Sequence, residues 1–226
     1  MVIALTKNER NISVKILEDN TPAPDIYFDR NFPELYERIE DGITTVYSFE
    51  CEYGKIEHVF LKRRVPVLVK GVRYYDAITA YGYGGPIVRA TYAAEGISAE
   101  ETKKKLIDAF QSDYKNFCEK NKIISEFIRF HPIFGNADDF SGVFSTEYIR
   151  NTVGTNLIKY PDFFQEEYEK SCRKNIKQAF KKGVTIEVEE NPDSLTEFKK
   201  IYYSTMDRNH AAEYYYFDDM YFQKCL

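Results

Sequence analysis

Two runs rich in β-branched and aromatic residues flank a glycine: "TTVYSFECE" (44–52) and "KIEHVFLKRRVPVLV" (55–69), on either side of Gly54. Such runs, bounded by turn residues, predict a pair of β segments. Pro66 interrupts the second, because proline cannot donate to a ladder. "RYYDAITAY" (73–81) reads as a third segment, and a short helical stretch around Pro33 to Glu40 precedes all three. The period then changes. Ser98 with Glu101 three residues later makes a capping box, and Leu106, Phe110, Tyr114 and Phe117 fall at helical spacing, so a helix is expected from Ser98 to about Asn121. "IISEFIRFH" (123–131) returns to strand, "HPIFGNADDFSG" is a loop of turn formers, and a β region at about 143–158 is expected to close a first unit.

A second unit is expected from about Tyr160. Asp162 is placed to cap a helix running to about Lys182, with Phe164, Tyr168, Cys172, Ile176 and Phe180 repeating every four residues and Gly183 as the stop. Lys170, Lys174, Lys177 and Lys181 project from the opposite side as a basic stripe. It is either a solvated face or a surface for phosphates of RNA or of a nucleotide-linked substrate. A strand, "VTIEVEE" (184–190), and a helix outlined by Leu195, Phe198, Ile201, Tyr202 and Thr205 follow, before the closing "EYYYFDDMYFQKCL".

Composition narrows the class. With 226 residues, 43% hydrophobic and 30% charged, the chain can bury a substantial core as one large or two small domains. A net charge of −5 argues against general nucleic-acid binding while leaving room for a local basic patch. The start, "MVIALTKNERN", lacks the apolar core of a signal peptide, and no run reaches the roughly 18 apolar residues of a membrane span, so the expected location is cytoplasmic. Cys51, Cys118, Cys172 and Cys225 are widely separated and are expected to be free, mostly buried thiols. His58, His131 and His210 have no second ligand at helical or hairpin spacing, so no zinc site is expected, and a Cys–His nucleophilic pair could form only through the fold.

The densest candidate chemistry is "AITAYGYGGPIV" (77–88). Glycines let backbone N–H groups approach an anion, but about a dozen residues, Pro86 among them, separate Gly85 from the helix start at Ser98, which weakens a phosphate cradle. Two readings stay open. Gly82, Gly84 and Gly85 with Tyr81 and Tyr83 form either a surface for an extended or ring-shaped ligand or a turn with locally packed tyrosines.

The stretch "RKNIKQAFKKGVTIEVEENPDSLTEFKKIYYSTMDRN" (173–209), with its basic helix, K-x-G-V and Y-x-x-T-M, resembles the start of the second half of Fem-type aminoacyltransferases of peptidoglycan bridges. "YYDAITAYGYGGPI" and "EFIRFHP" are similar to the first half of FemAB-like proteins in order and spacing. The resemblance covers about residues 26–226. It implies an α/β (α+β) protein: a GNAT-like (N-acetyltransferase-type) mixed twisted sheet flanked by helices over 1–158, then the beginning of a second GNAT-like domain over 159–226. It also implies transfer of an amino acid or acyl group, from aminoacyl-tRNA or acyl-CoA, to an amine of a nucleotide- or lipid-linked cell-wall precursor, with no tightly bound cofactor.

In FemX-type members a tyrosine of a Tyr-Phe pair early in the second domain helps hold the nucleotide part of the precursor; the matching pair here is Tyr221 and Phe222. The family's arginine four residues earlier is Phe217 in this chain, with Tyr216 beside it; the family's first-domain lysine has no secure match here, and Arg38 is the candidate substitute. Tyr216 and Tyr221 thus join the loop tyrosines as the expected substrate-facing set, and the Lys170 to Lys181 stripe is the expected tRNA or phosphate contact. The resemblance further implies that donor-binding elements would follow Leu226, so a truncated chain without turnover is expected, with the bare edge of its 184–190 strand covered by dimerisation or else a collapsed C-terminal end; the alternative is that this strand joins the first unit's sheet in a monomer. A binding-only role is the alternative to an enzyme. No general base is evident, since Asp76 and Glu213 are as easily structural.

Overall fold

The computed structural model describes residues 23–93 and 95–226, so the opening "MVIALTKNERN" lies outside the described residues. Two 3-10 turns come first. Asp25 caps Ile26–Phe28 by accepting the Tyr27 N–H, and Pro33 opens Pro33–Tyr36, a position where its missing N–H costs little. The turns bury Phe28 and Tyr36.

β1 (Gly42–Cys51) and β2 (Gly54–Val69) form the expected antiparallel hairpin, with Cys51 opposite Gly54. β2 turns into β3 (Val72–Ile78) through Lys70 and Gly71, both at positive φ, as a two-residue hairpin loop with matching twist requires. The β2–β3 register shifts between Arg64 and Leu68, so the interruption at Pro66 is a bulge rather than an end. β4 (Ile87–Thr91) pairs with the start of β2, and β5 (Ile123–Phe127) runs parallel to β3. The result is a five-stranded mixed sheet in the order β1-β2-β3-β5, with β4 on β2. Sequence reading had not predicted β4.

α1 (Ala99–Asn121) covers one face of this sheet. The Ser98 hydroxyl accepts the Glu101 N–H at 3.2 Å, the cap expected from sequence, and Lys122 ends the helix in the left-handed conformation. Leu106, Phe110 and Tyr114 of α1 pack with Tyr47, Ile56, Phe60, Ala77, Ile123 and Phe140. Each fully buried large side chain contributes roughly 1.5–3 kcal/mol through removal of apolar surface from water. Three polar contacts sit inside this layer: Tyr47 donates to Asp113 at 2.6 Å, and Glu126 accepts from Tyr114 at 2.8 Å while its other oxygen meets His58 Nε2; His58 Nδ1 is buried without a partner among the described residues.

Phe140, at the end of α2 (Asn136–Asp139), closes the core, and Val143 and Phe144 pack beside it in a turn. The β region expected over 143–158 is therefore absent. So is the 184–190 strand: Val184, Ile186 and Val188 are exposed, and no described segment pairs with them. β-Branched composition sets a preference, but a strand exists only where a partner takes its N–H and C=O groups. The edge that the dimer expectation invoked is accordingly not formed.

The helix expected from Asp162 to Lys182 is two helices, α3 (Phe163–Glu166) and α4 (Lys170–Lys181). Asp162 does cap the first, accepting the Gln165 N–H. At the break, Arg173 donates to the carbonyls of Gln165 and Tyr168, satisfying acceptors freed by the interruption. α5 (Thr196–Arg208) follows as expected, then a 3-10 turn at Glu213–Tyr215 and α6 (Asp219–Lys224). The whole is a mixed α/β fold with six α-helices among the described residues, none long and apolar enough to cross a membrane.

Contacts divide the chain into two compact units. One joins the described residues up to Glu147 with Tyr203–Cys225; the other is Tyr148–Tyr202 with Leu226, and its residues 148–202 include none that is buried. All four cysteines are free. The expectation of mostly buried thiols fails for Cys172 and Cys225, which are exposed, whereas Cys51 and Cys118 are half-buried. Cys172 lies on a helix face with no core beneath it, so its apolar spacing produced no burial. Burial pushes the Cys118 thiol up to about 11, with the negative charge of Glu126 adding to the effect. Because the thiolate is the reacting form, this rise from 9.0 alone should slow Cys118 labelling roughly hundredfold at pH 8. Time-resolved alkylation with mass-spectrometric readout is expected to modify Cys172 well before Cys118.

Candidate functional site

The loop from Thr79 to Pro86 carries the glycines and is held from beneath. Buried Thr79 donates its N–H to the Phe127 carbonyl and accepts the Arg129 N–H on its hydroxyl; Gly84 donates to the Arg129 carbonyl at 2.8 Å. Asn136, 1% exposed, donates to the carbonyls of Gly84 and Pro86 and accepts the His131 N–H. One side chain from the "GNADD" turn thus fixes both the loop and the exit of β5. Nothing in the sequence pattern singled out Asn136, since Asn within a Gly-Asn-Asp run reads as an ordinary turn former.

The glycines serve close packing by protein atoms. Gly82 sits at φ +112°, and a Cβ there would lie 2.3 Å from the Tyr27 ring. Gly85, at φ +91°, packs against Ile128 and Phe130. Gly84 and Gly85 are buried, so the loop presents the exposed Tyr81 ring rather than an open glycine cradle.

Those tyrosines enter a continuous aromatic band. Tyr83 meets Tyr27 and His131 edge-on at 5.4 and 5.5 Å. Tyr27 meets Phe32, and Phe32 meets Tyr36. Tyr36 then contacts Tyr81, Phe217 and Tyr221. Tyr81 also meets Tyr214 and Tyr215, at 6.2 and 5.9 Å, and is 43% exposed. The C-terminal segment and the glycine loop, about 130 residues apart in sequence, therefore build one surface.

Tyr221 stacks on Phe217 at 4.2 Å, and its hydroxyl lies 3.2 Å from that of Tyr36. Phe217 is buried as the platform under Tyr221. It contributes an apolar face where the resemblance implied a guanidinium, and Arg38 is the cation brought to α6: it pairs with Asp218 at 3.2 Å and contacts Met220. Tyr216 points elsewhere, stacking on Tyr203 and donating to Asp207. The structure thus gathers Tyr81 and Tyr221 around Tyr36, carries Tyr83 to the far end of the band, and places Tyr216 in a separate contact.

Burial, together with hydrogen bonds to Tyr221 and Glu40 respectively, raises the Tyr36 and Tyr214 hydroxyls above the ordinary phenol range. The Tyr215 hydrogen bond and burial raise Tyr81 as well. These groups stay protonated at neutral pH, offering O–H donors and ring faces but no base. Arg63 donates to both Asp76 oxygens, through Nε at 3.1 Å and Nη2 at 2.7 Å, and its Nη1 reaches Glu40 at 2.8 Å. That pairing makes Asp76 structural, while Glu213 is exposed at the start of its 3-10 turn. Among the described residues no cluster of three or more His, Cys, Asp or Glu could hold a metal ion.

In the other unit, Lys170, Lys174, Lys177 and Lys181 all lie exposed on α4, on one face at 100° per residue. Lys177 Nζ sits 5.8 Å over the Phe164 ring.

The FemAB family model matches residues 140–226, a stretch that includes the α4 lysines, Phe217 and Tyr221, and this supports a FemAB-like assignment. No curated protein and no solved structure matches the chain.

Proposed function

We propose that this FemAB-like chain takes part in acyl or aminoacyl transfer to an amine of a peptidoglycan precursor, in the cytoplasm, and that the aromatic band is its acceptor-facing wall. The observation that carries this reading is the meeting of Tyr81 with Tyr36, and of Tyr36 with Tyr221: a surface built jointly by the glycine loop and the family-matched segment. Protonated phenols and exposed ring faces suit a sugar- or nucleotide-bearing acceptor, whose rings stack and whose hydroxyls need partners. In the reaction the acceptor amine attacks the carbonyl carbon of an ester or thioester. A C–N bond forms, the C–O or C–S bond breaks, and the amine proton leaves with the released hydroxyl or thiol. Such a step gains mainly from holding the two reactants together.

Titration with a nucleotide-linked muropeptide, read by NMR, is expected to shift Tyr81, Tyr214 and Tyr221. Tyr81→Ala should weaken binding roughly three- to tenfold, in line with the loss of one aromatic contact. Shifts confined to another surface would sink the acceptor reading.

The exposed α4 lysines are the matching proposal for an aminoacyl-tRNA donor. Charge reversal in a Lys174→Glu/Lys177→Glu variant is expected to weaken tRNA binding and to flatten the plot of log affinity against log salt by roughly one to two units, because fewer counterions are released. An unchanged slope would leave the stripe a solvated face and favour acyl-CoA as donor. A binding-only role has one observation in its favour: the Tyr36, Tyr81 and Tyr214 hydroxyls of the band all keep their protons at neutral pH. Single-turnover assays with both donor classes separate it from the enzyme reading.

A further inference from the structure

Arg129 lies just beyond β5, and its backbone is pinned at both ends by Thr79 and Gly84. Three arginines near the sheet are engaged: Arg63 holds Asp76 and Glu40, Arg38 holds Asp218, and Arg73 caps the carbonyls of Val65 and Pro66. The Arg129 guanidinium instead lies 4.9 Å over the Phe127 ring, with no hydrogen-bond or ion-pair partner among the described residues. Stacking on an aromatic face leaves the in-plane N–H donors of a guanidinium directed outward, the arrangement in which arginine takes a carboxylate or phosphate by two parallel bonds.

The neighbourhood favours an anion. Tyr81 lies in the loop between Thr79 and Gly84, the two residues bonded to the Arg129 backbone, and Tyr214 meets Tyr81 at 6.2 Å; the positive charge of Arg129 works against the burial and hydrogen bonds that raise both hydroxyls. Glu40 accepts the Tyr214 hydroxyl at 2.7 Å and is itself paired with Arg63 at 2.8 Å. Asp76 is neutralised by the same guanidinium. Arg129 is therefore a cation at this end of the band that no acid side chain among the described residues holds, with Glu213, exposed beside Tyr214, the unpaired acid of the same segment.

We propose that Arg129, with Tyr81 and Tyr214, forms a subsite for a single oxyanion, phosphate or carboxylate, on a ligand whose ring or sugar lies along the tyrosine band. This deepens the acceptor reading and rests on it. The cation is fixed by its backbone and by Phe127 rather than by an acid, so binding an anion requires no internal ion pair to be broken.

The test uses three probes on the full chain: a nucleoside diphosphate, inorganic pyrophosphate and an N-acetylated dipeptide with a free carboxylate, followed through the Arg129 Nε–H resonance. Arg129→Met keeps the stem and removes the charge, and should weaken the bound probe at least tenfold. Arg129→Lys should retain part of the affinity, and Arg150→Met, at an exposed position in the other unit, should change nothing. Thermal melting of each variant checks that the fold is kept. Binding of the two phosphate probes alone assigns a phosphate source; binding of the dipeptide alone assigns a carboxylate. If no probe moves the Arg129 resonance, or if Arg129→Met binds as the parent does, the subsite is refuted. The two readings also fail separately. Muropeptide binding that ignores Arg129→Met keeps the wall and removes the subsite, whereas small-anion binding at Arg129 without muropeptide binding keeps the subsite and removes the acceptor.

Discussion

Replacing Phe110 by alanine is expected to destabilise the protein by about 3–5 kcal/mol, which should appear as a large fall in the urea midpoint with little change in slope. Phe110 is completely buried. It stacks on Tyr114 at 5.3 Å, and it meets Tyr47, Phe49 and Phe140 edge-on. These partners come from β1, from α1 itself and from the turn after α2, so the cavity left by truncation cannot be filled by moving one element. The ring supplies quadrupole contacts beyond its buried area, each worth about 0.5–1.5 kcal/mol, so Phe110→Leu should recover only part of the loss. A loss below about 1 kcal/mol for Phe110→Ala would mean that this aromatic layer does not hold the helix on the sheet. The outcome bears on the site as well. The same sheet carries Thr79 at its end, and Thr79 anchors both the glycine loop and Arg129.

The difference between what the sequence disclosed and what it concealed follows from which interactions are local. α1 was legible because its cap and its period both lie within the helix, and the structure repeats them at Ser98, Leu106, Phe110 and Tyr114. The β1–β2 hairpin was legible because Gly54 marks it. By contrast, "VTIEVEE" has the composition of a strand and no partner, while Ile87–Thr91 lacks a distinctive run yet pairs with β2 because the fold delivers an open edge there. The α3–α4 break was hidden because an every-fourth apolar repeat passes through it; the carbonyls that Arg173 takes up become visible only in three dimensions. The candidate site divides the same way. Tyr81 and Tyr221 could be named from local composition and a family resemblance. Tyr36, which joins them, Asn136, which ties the loop, and Arg129, which leaves a charge open, are ordinary residues until long-range packing brings them together.

Gly82→Ala is the second change with a large expected effect, and it distinguishes a glycine kept for the chain's own packing from one kept for a ligand. Gly82 adopts φ +112°, a region that side chains with a Cβ enter only with strain of about 1–3 kcal/mol. The new methyl would also meet Tyr27 Cε1 at 2.3 Å. Tyr27 cannot simply swing aside, because Phe32, Tyr83 and His131 contact its ring at 5.1, 5.4 and 5.9 Å. Overpacking of this kind adds about 1–3 kcal/mol, so a total of roughly 2–6 kcal/mol is expected from chemical denaturation. The damage should follow the aromatic contacts: in NMR spectra, shifts at Tyr27, Tyr83 and His131, with α1 and the β1–β2 hairpin little changed. Gly71→Ala makes a useful comparison, since Gly71 is also at positive φ but its Cβ would meet nothing within 4 Å, leaving backbone strain alone. If Gly82→Ala costs no more than Gly71→Ala, the close approach of Tyr27 does not constrain the loop. If instead it unfolds the loop and also abolishes muropeptide binding while Tyr81→Ala only weakens it, Gly82 acts on the ligand by setting the position of the wall.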